Sequence, residues 1–236
     1  MRKLFFLVLM TSAVWLWGEA LPEWLIPLRE ALYEQKLNAN EIMPIYQTAK
    51  TTAQTQRSGA ALDTALARCE YFMGRALLFE KRNEEARVHF REGMRLGEKA
   101  IAQTPSSEAW LVLTENLSQD CSIGPWNYTV ANGLNVEKYS KNALSYNKRN
   151  AAAQYLIASR WVYAPAPFNN LRKGIEMMQA IFTDGDMEKD DIFNVNLSIA
   201  YAHIEQKKYN DARTWLLKAL EIYPTNKYAA ELLEKK

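Results

Sequence analysis

At 236 residues, with 48% hydrophobic and 24% charged, the chain has the composition of a globular protein with side chains enough for a core. Its 7 Trp and 12 Tyr exclude a disordered chain, and 9 Gly with 8 Pro are too few for a many-turned β architecture. A formal net charge of +2 supplies no single-sign field, so no nucleic-acid partner is expected.

The chain opens with Arg2 and Lys3, and the apolar run LFFLVLMTSAVWLW follows from Leu4 to Trp17. Gly18 and Ala20 then set small residues on either side of Glu19, just before Leu21. This pattern predicts a signal peptide over residues 1–20, cleaved after Ala20. The run is shorter than the roughly 20 residues of a membrane-spanning helix, and an uncleaved N-terminal anchor is the alternative. No Cys stands beside the expected cleavage point, so no lipid-attachment cysteine is available there.

Residues 21–236 are expected to form a single all-α domain, because apolar residues recur at about 3.6 throughout. Pro22 suits an early helical position before WLIPLREALYEQKL, and Asn40 suits an N-cap for EIMPIYQTAKTTAQTQ, with Pro44 placed to kink it. Helix pairs are then expected over about 63–103, 106–149, 150–184 and 191–226, with a short closing helix from Lys227. The last pair is the clearest. Ile199, Ala200 and His203 mark its first helix; Ala212, Leu216 and Ala219 mark its second, and Pro224 stops it. Small residues let antiparallel helices approach and large ones fill the groove beside them. A pair of about 34 residues with this pattern resembles a tetratricopeptide repeat, so the fold expected is a helical repeat superhelix with one continuous core. Met73–Gly74, Leu77, Ala86, Phe90 and Gly93 repeat the pattern upstream. The pair over 106–149 contains an insertion, SIGPWNYTVANG from Ser122 to Gly133, which reads as an irregular loop.

Chemistry-bearing residues are sparse. His89 and His203 lack Cys, Asp or Glu at metal-ligand spacing, and both are expected in structural positions, so no metal or cofactor is expected. The acidic segment DGDMEKDD, Asp184–Asp191, is out of register with a calcium loop and reads as a turn in which Asp190 or Asp191 caps the next helix. Arg68, Tyr71 and Arg75 share the helix face that lines the concave side of repeat proteins. Tyr155, Ser159 and Tyr163 fall on the equivalent face of a later repeat, and Asn194, Leu197 and Tyr201 on that of the last. Tyr and Arg anchor interfaces, so this set is a candidate binding face; packing of a tight superhelix is the alternative. Trp126 and Tyr128 in the insertion are a second candidate contact site. Asn116, Asn127 and Asn196 stand in Asn-x-Ser/Thr sites and are read as chance. Cys69 lies near the start of one first helix and Cys121 just past the end of the next. In a parallel stack their Cα atoms are about 15–20 Å apart along the axis, so no disulfide is expected between them.

Gly74, Arg75, the Tyr163–Ala164–Pro165 turn and the closing repeat with Ala212, Ala219 and Pro224 carry a more specific likeness. With the signal peptide and the Trp-containing insertion, the chain resembles the tetratricopeptide T-component proteins that accompany TRAP-type solute transporters in spirochaetes and other bacteria. That resemblance implies a periplasmic location and docking to a solute-binding protein. Members of the family are often lipoproteins, and this chain lacks the attachment cysteine. The functional expectation is an exported interaction or ligand-binding module with another envelope protein as its partner. Homo-oligomers are compatible with it. A stand-alone binder of a small hydrophobic ligand, or an envelope assembly scaffold, is the alternative. An enzyme with paired carboxylates finds no Ser-His-Asp, Cys-His or metal constellation to support it.

Overall fold

A computed structural model describes residues 21–235. A short 3-10 turn, Glu23–Leu25, leads into α1 (Ile26–Glu34) and α2 (Ala39–Gln56). Four helix pairs follow: α3 (Gly59–Phe79) with α4 (Asn83–Gln103), α5 (Ser107–Ile123) with α6 (Trp126–Tyr146), α7 (Ala151–Tyr163) with α8 (Leu171–Asp184), and α9 (Lys189–Glu205) with α10 (Tyr209–Ile222). The last described helix is α11 (Lys227–Leu233). Consecutive helices pack on one another, and the first helices α1, α3, α5, α7 and α9 pack each on the next to form one layer. The described chain is all-α, and its layered pairs form a tetratricopeptide-like superhelix.

Helix starts follow capping chemistry. Ser106, Asn150, Asn170 and Asn226 each accept a hydrogen bond from the backbone N–H three residues on. Where an Asn40 cap was expected, Asn38 takes that place: its side chain accepts from the Glu41 N–H, and Glu41 returns a bond to the Asn38 N–H. That reciprocal box needs Glu at the third helical position, a condition Asn40 cannot meet. The same logic displaces Asp190 and Asp191 as caps. Glu188 is the N-cap of α9, and Asp191 closes its box at 2.9 Å. Pro44 lies within the first two turns of α2, where few backbone donors are lost.

Two turns repeat in detail. In α3–α4 and in α9–α10, Lys81 and Lys207 take left-handed backbone angles (φ 60° and 59°). The next residue's N–H then closes back on the preceding helix, Arg82 to Leu77 and Lys208 to His203. Small residues set the helix spacing as the pattern requires. A Cβ at Gly74 would stand 2.5 Å from the Phe90 ring, and one at Gly97 3.0 Å from the Leu113 backbone. Ala200 and Ala219 are fully buried.

The segment expected to be a loop is largely helix. After Gly124 and Pro125, α6 starts at Trp126 and runs on through Gly133, reaching well beyond the stretch that packs on α7. The extension holds because Thr129 donates to the Cys121 carbonyl at 2.7 Å and Tyr128 lies against Arg87. Helix propensity alone would not keep Asn127, Thr129, Val130 and Gly133 helical.

The two ends of the superhelix meet. Tyr33 of α1 stacks on Tyr223 (centroids 5.0 Å) and meets Phe193 edge-on at 5.5 Å. Asn226 donates to the Tyr33 carbonyl at 2.8 Å, Thr225 to that of Glu34 at 2.7 Å, and the Lys227 N–H to the Gln35 side chain at 2.8 Å. One hydrophobic cluster therefore includes Leu28, Phe72 and Phe90 together with Phe193, Ala219 and Tyr223. Ring closure turns the concave side into an inner face that all five first helices line.

Candidate functional site at the inner face

On α3, residues 68, 71 and 75 recur at helical spacing and face inward together, as their sequence spacing predicts. Arg68 pairs with Glu115, and with Glu108 at 3.1 Å, both from α5. Arg75 donates to the hydroxyls of Tyr33 (2.7 Å) and Tyr71 (3.2 Å) and lies over the rings of Tyr33, Tyr71 and Phe79 at 5.0, 5.6 and 5.5 Å. From α9, Asn194 donates to the same Tyr33 hydroxyl at 2.8 Å. On the α7 side, Tyr155 and Tyr163 both reach the Ser198 hydroxyl, at 3.1 and 2.8 Å, and the Tyr163 ring lies 5.1 Å from that of Tyr201. Tyr155 is close enough to Arg75 to act on its charge. The structure thus brings Arg68, Tyr71, Arg75, Tyr155, Tyr163 and Tyr201 onto one inner surface.

Tyr163 is 45% exposed, yet desolvation by surrounding protein pushes its hydroxyl pKa well up. The hydroxyl is turned into the protein against Ser198 while the rest of the side chain stays partly open. Burial likewise raises the phenols of Tyr33 and Tyr71, so both are neutral at neutral pH. Glu115 is pushed up to about 7 by burial, with Arg68 opposing. Burial also raises Asp190, against the pull of Arg29, and it raises Asp191, where the neighbouring Asp190 adds to the effect. Arg29 bonds Glu188 at 2.8 Å and Asp190 at 3.3 Å where α1 meets α9.

Trp126 and Tyr128 do not join this face. Trp126 is 69% exposed at the start of α6 and shares an open apolar stripe with Val130 and Leu134. Tyr128 lines a groove on the outer side between α4 and α6, floored by Leu113 and Leu117, with Arg91 and Tyr139 beside it. Their proximity in sequence reflects the insertion and not the repeat register.

Glu108, Glu115, Tyr33, Arg29, Asp190 and Ser198 belong to the inner face and escape sequence reasoning. Glu108 and Glu115 carry a usable signal, since they stand a helical repeat apart on a first helix like Arg68 and Arg75. Tyr33 and Arg29 carry none, because their role depends on ring closure. The acidic Asp184–Asp191 turn, where Asp190 was a candidate cap, sends Asp190 into the interface with α1. His89 bonds Glu70 at 2.6 Å, and Tyr46 and Lys50 complete the shell of that buried carboxylate. Asn116 and Asn196 are buried with their amides on the preceding turn, and Asn127 is exposed. Cys69 and Cys121 are both free and buried.

These features define a fold class: an all-helical, tetratricopeptide-like superhelix with a polar, tyrosine-rich inner face. Residues 193–226 match the tetratricopeptide repeat family. Among solved structures, the chain is similar to a thermophilic tetratricopeptide protein of Thermus thermophilus (TM-score 0.55, 18% identity), covering 89% of this chain and 98% of that one. At that identity the likeness is one of fold. Compared with curated proteins, the chain matches none.

Proposed function

We propose that the chain is an exported interaction module whose inner face captures another envelope protein, serving as an accessory of a TRAP-type uptake system by docking its solute-binding protein. The observation that carries the capture reading is the convergence of Arg68, Tyr71, Arg75, Tyr155, Tyr163 and Tyr201 on one inner surface, where Tyr163 is 45% exposed. Rigid aromatics and arginines in a concavity are the groups that anchor partners. Tetratricopeptide repeats are interaction modules in general, which favours a binder over an enzyme. Export is supported by the apolar run before Leu21 and by one further detail. The Leu21 nitrogen lies 3.0 Å from the Glu188 carboxylate. Cleavage after Ala20 makes that nitrogen a charged amine facing an acid. A small hydrophobic ligand is the second reading, favoured by the half-open Tyr163 and Tyr201 ring pair.

The test is replacement of Tyr155, Tyr163 and Tyr201 together by Ala, with capture of a TRAP-type solute-binding protein from envelope extract as readout. Capture is expected to weaken about tenfold or more while helicity by circular dichroism holds. Equal loss of capture and helicity would make these tyrosines core residues and end the reading. N-terminal sequencing of the envelope fraction is expected to begin at Leu21; an intact Met1 in the soluble cytoplasm would end the export reading.

A further inference from the structure

Arg75 differs from the other arginines of the interior. Arg29 meets Glu30, Glu188 and Asp190; Arg68 meets Glu108 and Glu115; Arg87 meets Asp120 at 2.7 Å. Each buried guanidinium there is balanced by at least one carboxylate in contact. Arg75 has none among the described residues. Its Nη1 donates to two phenol oxygens, and its Nη2 and Nε make no hydrogen bond to the described chain. The phenols are neutral, so they solvate the charge without balancing it. Three aromatic rings stack around the guanidinium and keep water from much of it. A desolvated cation that keeps two parallel donors free is suited to a carboxylate, which can take both at once.

We propose that Arg75 is the anchor of a binding site for a small organic monocarboxylate with an apolar or aromatic body, a proposal that rests on the inner face being a capture surface. The carboxylate is seated on Nη2 and Nε of Arg75. The body lies toward the Tyr155 side of the inner face, where the partly exposed Tyr163 ring stands 5.1 Å from that of Tyr201. Single negative charge follows from the surroundings. Arg75 is one cation, and the other nearby cation, Arg68, is committed to Glu108 and Glu115. Glu115 already feels the charge of Arg75, and Asp190 adds negative field at Tyr33. A dianion such as phosphate finds too little positive charge there, whereas a monoanion matches the one open guanidinium.

Isothermal titration calorimetry of the purified protein with phenylacetate and octanoate tests the site, with phenylacetamide and 2-phenylethylamine as neutral and cationic analogues. Both acids are expected to bind at least about tenfold more tightly than either analogue. Arg75→Lys keeps the charge and loses the paired donors, and is expected to weaken the acids about tenfold. Arg75→Gln is expected to abolish the preference for acid over amide. Helicity of each variant is read alongside; if Arg75→Gln unfolds, Arg75→Lys carries the test. Equal binding of phenylacetate and phenylacetamide, unchanged acid binding by Arg75→Lys, displacement of phenylacetate by inorganic phosphate at matched concentration, or no acid binding at millimolar concentration would each overturn the proposal. If the acids fail to bind while the solute-binding protein is still captured through Tyr155, Tyr163 and Tyr201, this inference falls and the docking reading stands. Acid binding without partner capture reverses that outcome.

Discussion

At Glu115, burial and charge pull in opposite directions. Its side chain is 9% exposed and touches Arg68, yet burial wins and lifts its pKa to about 7. In the unfolded chain a Glu titrates near about 4.3. Between those values the native state holds a proton that the unfolded state has lost. The resulting stabilisation is full below about pH 4.3 and disappears as pH rises through the folded value. From pH 5.5 to 8 the wild type should therefore lose about 2 kcal/mol relative to Glu115→Gln, which keeps the shape and cannot titrate. Urea melts of both proteins at both pH values measure it. Parallel pH dependences would mean that Glu115 is an ordinary ionised partner of Arg68. The two thiols answer to the same physics. Burial pushes Cys69 up to about 12 and Cys121 to about 11, so both are protonated as well as shielded. A thiol reagent is expected to label neither in the native protein and both after unfolding without reductant. No label on the unfolded, monomeric chain would mean a Cys69–Cys121 bridge and a wrong repeat register.

Among the elements, the regular repeats were legible and the irregular one was not, for reasons visible in particular residues. Met73–Gly74 with Ala86 and Phe90, and Ala200 with Ala212 and Ala219, state their packing locally: a small residue marks where a neighbouring helix comes close. Gly74→Ala would press a methyl onto the Phe90 ring and should cost about 1–3 kcal/mol. Ala200→Trp and Ala219→Trp, both at fully buried positions, should cost more. Thermal melts that leave all three at wild-type stability would show that the close contacts are not made. The insertion misled because its helix depends on tertiary support. Trp126–Gly133 contains Asn, Thr, Val and Gly, a poor set for an isolated helix, and its stabilising contacts come from Cys121 and Arg87 on other helices. The inner face was half legible on the same grounds. Inward positions on α3, α7 and α9 follow from spacing, but which of those groups are balanced by charge depends on Glu108 and Glu115 from the next repeat.

The closure of the superhelix lies at a scale that no local pattern encodes. Tyr33 and Asn226 are nearly the length of the chain apart, and each looks ordinary in its own helix. Open repeat stacks gain stability from nearest neighbours alone, so their terminal units fray first. Here the first and last units contact each other, and neither is an end in the energetic sense. Amides of α1 and of α10–α11 are therefore expected to resist hydrogen exchange about as long as those of α3. Tyr33→Ala removes the stack on Tyr223, the edge contact with Phe193 and one phenol partner of Arg75. That loss should cost about 3–5 kcal/mol, by analogy with other buried aromatics, and the cost should not stay local. Protection of α1 and of α10–α11 should fall together, while α5 and α6, on the far side of the ring, change least. Loss confined to α1, or fast exchange of α1 in the wild type, would mean that the ring is open in solution. The inner face would then be assembled only when a partner or ligand draws its two ends together.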